Sequence, residues 1–167
     1  MKHIVGLAFL AVLVGCASKP APPTPTSSAP MDFSLPIWPS AQQHTFADDR
    51  GHIVVIDAWA SWCAPCKTEL PQLDALAKKW APEGVRAYAV NIDTASGAVQ
   101  SFLATTPLSL PILLDPGAGV LTQVLGLKSM PTTWVLDKEG RVVLTEEGSL
   151  GKVDETVNIM LGHPDKP

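Results

Sequence analysis

Ile53-Val54-Val55-Ile56-Asp57-Ala58-Trp59-Ala60-Ser61-Trp62-Cys63-Ala64-Pro65-Cys66 decides the fold, because an apolar β-branched run leads through a short turn into two cysteines two residues apart. The run Ile53 to Ile56 predicts a central parallel strand covered on both faces. Beyond the cysteines, Leu70, Leu73, Leu76, Ala77 and Trp80 recur at helical spacing, and Pro82-Glu83-Gly84 predicts the helix end. The pair therefore falls at a helix N-terminus, where unpaired backbone N–H groups and about half a positive charge favour a thiolate. Cys63 is placed to attack and Cys66, one turn further in, to resolve a mixed disulfide.

Lowering a thiol pKa from about 8.5 to about 7 raises its thiolate fraction at pH 7 from roughly 3% to 50%, but the accompanying loss of nucleophilicity leaves only about a threefold rate gain. The position matters more for leaving-group ability and redox poise. The competing reading of Cys-x-x-Cys is half of a structural zinc site, which needs two further Cys or His ligands. Cys16 and His3 lie at the extreme N-terminus, and His44, His52 and His163 are scattered without ligand spacing. The strand–turn–helix context favours redox chemistry, with no metal and no cofactor.

Residues 1–15 read as an export signal, with Lys2 as its charge and Ile4 to Val14 as an apolar core too short to span a bilayer. That core runs into Leu13-Val14-Gly15-Cys16, which resembles a bacterial lipobox and implies lipidation of Cys16. An ordinary signal peptide with an incidental cysteine is the alternative. With Cys16 as an anchor, the three cysteines divide into one lipidated residue and one redox pair.

From Ala17 to Met31 the composition shifts to Pro, Ser, Thr and Ala, so residues 16–31 are expected to form a lipidated cysteine and an extended tether. At about 3.1 Å per residue its reach is at most about 45 Å. Asp32 to Pro167 has the length of one domain. The net charge of −4 and the lack of a basic run after the leader exclude a nucleic-acid partner. Nothing in the chain suggests an obligate dimer, and a monomer is expected.

Within the domain, Val85 to Ile92 reads as a strand and Leu110 to Leu114 as a short one. Ser96 can cap a helix to about Ala104, and a second helix runs from about Ala118 to Leu125. Thr132 to Leu136 and Arg141 to Thr145 flank Asp-Lys-Glu-Gly as a hairpin, and Lys152 to Leu161 is an amphipathic helix. Strands alternating with helices before a final hairpin and helix predict an α/β sandwich with a mixed sheet.

With Trp62-Cys63-Ala64-Pro65-Cys66 and a later Met130-Pro131-Thr132 before the hairpin, the chain resembles the thioredoxin superfamily over nearly all of its domain. The anchor, Phe-Ser-Leu-Pro at 33 to 36 and an extra helix–strand segment before Leu-Asp-Pro at 114 to 116 are similar to the TlpA/ResA-like branch of extracytoplasmic thiol–disulfide reductases. The resemblance implies a thioredoxin-like α/β/α fold, with Cys63 attacking, Cys66 resolving and Pro131 as the cis-proline facing the disulfide. Met130 would then offer backbone groups to an extended substrate, and Trp62 would stand at the substrate-facing rim while Trp59 packs in the core. Pro71 matches the proline that kinks the active-site helix.

Asp57 lies in the apolar strand on the face shared with Ile53, Val55 and Trp59. Burial would raise its pKa and suit it to exchange a proton with Cys66; the alternative is a carboxylate satisfied by a backbone or lysine contact. Thioredoxins proper carry Asp here, whereas many TlpA/ResA-like proteins carry Asn. Glu69 matches an acidic position that tunes the cysteine pair in ResA-like proteins, or else is a solvated helix residue. Ala64 and Pro65 set the redox poise between the cysteines. Oxidases of the superfamily usually have His before the second cysteine, and Pro65 tilts the chain toward a reductase.

The implied partners are protein disulfides, plausible clients including apocytochrome c, and a membrane thiol donor of the DsbD or CcdA type. A disulfide oxidase or isomerase and a copper-binding thiol chaperone are the alternatives. A thiol peroxidase is disfavoured, because Cys63 lacks a Pro-x-x-x-Thr-x-x-Cys setting.

Overall fold

The structure, a computed structural model, describes residues 21, 23–27, 29–95 and 97–164. The export signal, Cys16 and Ser96 lie outside the described residues. The chain forms β1 (Ser34–Pro36), β2 (Gln43–Thr45), β3 (Val54–Trp59), α1 (Ala64–Trp80), β4 (Arg86–Asn91), α2 (Ala98–Leu103), β5 (Ile112–Leu114), α3 (Gly119–Leu125), β6 (Thr132–Leu136), β7 (Val142–Glu147) and α4 (Gly151–Leu161). Five strands make a mixed sheet in the order β5-β4-β3-β6-β7. β3, β4 and β5 run parallel, while β6 pairs antiparallel with β3 and with β7.

Every residue of β3 is buried, as its uninterrupted apolar run requires of a strand covered on both faces. Ile53, Val55 and Trp59 face Leu70, Leu73 and Trp80 of α1, Phe102 of α2 and Val153 and Val157 of α4. Val54, Ile56 and Ala58 face Leu121 of α3 and Leu35 and Phe46 of the N-terminal segment. The result is the α/β/α sandwich expected, with β3 at its centre.

α1 ends through a 3-10 turn at Ala81–Glu83, and Gly84 closes it at φ +81°, where glycine meets no Cβ penalty. α2 begins after Gly97. The hairpin turn after β6 is held by Asp137, whose Oδ1 accepts the amides of Glu139 and Arg141.

Two features of the N-terminal part went unforeseen. β1 and β2 form a separate two-stranded antiparallel sheet on the α3 side. The end of the expected tether is also tied to the domain: Thr26 N donates to Val142 O at 2.7 Å, and Met31 N to Gly140 O at 2.7 Å. No helix among the described residues is long and apolar enough to cross a membrane.

Candidate active site

β3 delivers the chain through Ala60-Ser61-Trp62 to Cys63, the N-cap of α1. The turn is pinned from the end of β4. Asp93 accepts Ser61 N at 2.8 Å and Ser61 Oγ at 3.0 Å, and Asn91 Nδ2 donates to it at 2.8 Å. Cys63 and Cys66 are joined as a disulfide with Cα atoms 5.3 Å apart. Cys66 N donates to Cys63 Sγ at 3.3 Å, so one orphan amide of the helix end is aimed at the sulfur that would carry charge once reduced. Cys63 is 6% exposed and Cys66 0%, which leaves Cys63 as the sulfur within reach of a partner.

Trp62 is 67% exposed and Trp59 is wholly buried. The Met130–Pro131 peptide bond is cis. Trp62, Cys63, Pro65, Ala118, Leu127 and Met130 are among the residues around a groove of about 580 Å³. On the other flank, Pro65, Thr68, Glu69, Gln72 and the segment Gly148–Gly151 line a second cleft of about 510 Å³.

Two buried acids share the side of the sheet that carries Cys66. Asp57 is 0% exposed; burial first, and the nearby Glu69 charge second, push its carboxyl well above the usual range, against a hydrogen bond from Thr133 that favours ionisation. Thr133 Oγ1 donates to Asp57 Oδ1 at 2.9 Å, while Asp57 Oδ2 has no partner among the described residues. No lysine and no backbone amide among the described residues satisfies Asp57, so the alternative in which such a contact neutralises it fails. Glu69 is 7% exposed and therefore not a solvated helix residue; burial raises its pKa too, again opposed by the Thr133 hydroxyl.

Lys67 is exposed, and Ala64 lies exposed on the first turn of α1. The described histidines all settle elsewhere: His44 on Asp49, His52 on the Gly84 carbonyl and His163 on Glu83. Among the described residues no cluster of three or more His, Cys, Asp or Glu is placed to hold a metal ion.

Thr133 and Asp93 escaped the sequence reading. A polar residue in the apolar strand Thr132–Leu136 was the available signal for Thr133. Its pairing with Asp57 depends on the β3–β6 register, which puts the two directly opposite.

A mixed sheet with a Cys-x-x-Cys disulfide capping the helix after its central strand, and a cis-proline beside the same groove, defines a thioredoxin-fold dithiol protein. Residues 25–145 match the model of the AhpC/TSA family, and the chain belongs to that thioredoxin-like family. It is 34% identical over 128 residues to the thiol-disulfide oxidoreductase ResA of Geobacillus thermodenitrificans, covering 77% of this chain and 72% of that protein. The chain spans 60% of the length of the first curated ResA relatives it matches.

Among solved structures, a protein assigned as the thiol:disulfide interchange protein DsbE of Chlorobium tepidum superposes with a TM-score of 0.70 at 29% identity, covering 83% of this chain and 98% of that one. An exposed lipoprotein thioredoxin of Streptococcus pneumoniae superposes at 0.64 with 28% identity, covering 77% of this chain and 97% of that one. The family description does not import peroxidase chemistry, because Ile56 and Ala60 stand where the Pro and Thr of a peroxidase motif would fall.

Proposed function

We propose that the chain is an extracytoplasmic thiol–disulfide oxidoreductase that reduces disulfides in envelope or secreted proteins. The observation that carries this reading is the Cys63–Cys66 disulfide at the α1 N-terminus, with Cys63 opening onto the groove shared by Trp62 and Met130. The named activities of its ResA and DsbE relatives support it.

In the reduced protein the Cys63 thiolate attacks one sulfur of a substrate disulfide. The substrate S–S bond breaks, and the departing thiolate takes a proton from water. Cys66 then loses its proton to the buried carboxyl at Asp57 and attacks Cys63 Sγ; the bond to the substrate sulfur breaks, and the second substrate thiolate leaves and is protonated by water. Two electrons have passed from the dithiol to the substrate, and the Cys63–Cys66 disulfide remains. The cysteines carry the whole cycle without a cofactor.

A membrane thiol donor of the DsbD or CcdA type would restore the dithiol, with apocytochrome c thiols among the plausible clients. The lipobox-like Leu13-Val14-Gly15-Cys16 and the kinship to an exposed lipoprotein thioredoxin support a lipid anchor at Cys16.

The equilibrium redox potential of the soluble domain, read by Trp fluorescence and thiol alkylation in dithiothreitol and glutathione buffers, tests the direction. A value at or below about −250 mV is expected; one near −120 mV would make the protein an oxidase. Stoichiometric Cu(I) binding that survives a competing chelator would favour a copper chaperone instead.

A further inference from the structure

The described lysines and arginines divide by whether their side chains have partners. Lys78 and Lys79 reach Asp74 and Asp154, Arg86 and Arg141 pair with Asp49 and Asp137, Lys152 holds Glu146, and Arg50 donates to the Met31 carbonyl. The side chains of Lys67, Lys128 and Lys138 make no ion pair or hydrogen bond among the described residues. Lys138 follows β6 at the end of the sheet where Val54 pairs with Leu136, far from the disulfide. Lys67 follows Cys66 on α1, and Lys128 shares a groove with Cys63, so two of the three unpaired cations stand at the redox end of a chain whose net charge is −4.

Lys128 is the one charged side chain lining the groove onto which Cys63 opens. The acids at this end of the domain are turned to other donors. Asp93 accepts from Ser61 and Asn91, Asp115 from the amides of Val120 and Leu121, and Glu147 from the Ser129 hydroxyl. On the other flank of Pro65 the charged lining residue is Glu69, so the two clefts beside the cysteine pair differ in sign. Lys67 lines a third cleft with Ser61, Phe102 and Thr105, outside the groove.

A substrate segment whose cysteine meets Cys63 spaces its neighbouring residues about 3.3 Å apart when extended, so residues one or two positions away lie across the same groove. A lysine there offers a mobile ammonium on a long stem, which can follow a carboxylate without a fixed geometry. We propose that Lys128 is a specificity-determining residue that favours protein segments carrying Asp or Glu one or two positions from the cysteine that Cys63 attacks. The inference rests on the redox reading above.

The substrate carboxylate and the Lys128 ammonium meet at an exposed rim, where an ion pair keeps its water and is screened by salt. Such a pair is worth up to about fivefold in the rate of capture, and a substrate cation in the same place is slowed by a similar factor. Lys128 forms no bond and moves no proton. Cys63 performs the chemistry, and the exposed Trp62 and Met130 supply apolar contact that is indifferent to charge.

The test uses a Cys16→Ser, Cys66→Ser protein, in which Cys63 is the one thiol. Short peptides with Glu, Gln or Lys beside a single cysteine are activated as mixed disulfides with the neutral 2-thiopyridyl group. The Cys63 thiolate attacks the peptide sulfur, the bond to the thiopyridyl sulfur breaks, and 2-thiopyridone leaves with the electron pair, takes a proton from water and is read by absorbance. At low salt the Glu peptide should react about fivefold faster than the Gln peptide, and the Lys peptide about fivefold slower. The preference should fall within about twofold in Lys128→Gln and at about 1 M salt, reverse in Lys128→Glu, and survive in Lys67→Gln. Equal rates for the three peptides, a preference that persists in Lys128→Gln, or one lost in Lys67→Gln would overturn the proposal. So would a Lys128→Gln protein that slows all three peptides equally while its Cys63 thiolate titrates at higher pH, since Lys128 would then activate the sulfur without selecting the substrate. The salt dependence is read without altering Lys128. Turnover of the same peptides as disulfide dimers by the wild type tests the redox reading separately: a wild type that reduces none of them sinks that reading, and the capture rates still decide the role of Lys128.

Discussion

Replacing Asp57 with asparagine turns the buried acid into a neutral group of nearly the same shape, and its effect on stability should depend on pH in a defined direction. Thr133 can still donate to the amide oxygen, and the amide nitrogen takes the place of Asp57 Oδ2, which has no partner among the described residues of the native protein. The new side chain therefore imitates the protonated acid, and below about pH 4 the two proteins should be equally stable. Above the unfolded carboxylate pKa the unfolded wild-type chain ionises, while the folded protein retains a proton because burial and the Glu69 charge hold the Asp57 pKa well above its ordinary value. The folded state then binds more protons than the unfolded one, so stability falls as pH rises through this window until the folded group ionises.

Each pH unit in that window is worth up to about 1.4 kcal/mol, so over two pH units above the unfolded carboxylate pKa the Asp57→Asn protein should gain up to about 3 kcal/mol over wild type. For a domain of this size that is about 10 °C in melting temperature. Urea unfolding of both oxidised proteins across this range, followed by Trp fluorescence, measures the difference directly. A difference that stays constant with pH, or shrinks as pH rises, would refute a raised native pKa and remove Asp57 from proton exchange. The same substitution should leave the fold intact and slow disulfide reduction at neutral pH.

Asp93→Ala should destabilise the oxidised domain by about 3 kcal/mol, because it strands the Ser61 and Asn91 donors that now converge on one nearly buried carboxylate; chemical denaturation reads this, and a change under about 0.5 kcal/mol would mean the turn holds itself. Cys16→Ser should abolish incorporation of labelled palmitate and release the protein from membranes into the soluble fraction, whereas undiminished labelling would show that Cys16 is not the anchor.

How much was legible depended on how local each signal was. The strand at Ile53–Ile56 and the spacing of Leu70, Leu73 and Trp80 needed only neighbours in sequence, and both elements formed where periodicity placed them. Trp62 and Trp59 separated as expected into an exposed rim and a buried core. The N-terminal sheet was hidden because its strands are three residues long and flanked by Pro36 and Pro39, so neither propensity nor alternation could accumulate. The hydrogen bonds that dock Thr26 and Met31 on the β6–β7 hairpin join backbone groups, which composition does not report. The partnership of Asp57 with Thr133 was hidden by register: the two lie 76 residues apart, and a slip of one would send either side chain to the opposite face.

A stability argument by itself would remove both acids. An apolar residue at position 57 would pack against Val55 and Trp59 without a desolvation cost, and Glu69→Gln would end the mutual repulsion. The two are instead buried on the same side of the sheet as Cys66, the cysteine closed off from solvent. Water cannot serve as the base for a thiol with no exposed surface, so a proton crossing to or from Cys66 needs an internal acceptor. An internal acceptor with an ordinary carboxylate pKa would be too weak a base to take a proton from a buried thiol. Burial of Asp57 supplies the strength, and it would overshoot into permanent protonation unless something held the charged form. Among the described residues the Thr133 hydroxyl is the one donor that does so. The instability of the pocket and its capacity to exchange a proton with Cys66 thus have the same physical origin, and a variant that cures the first is expected to lose the second.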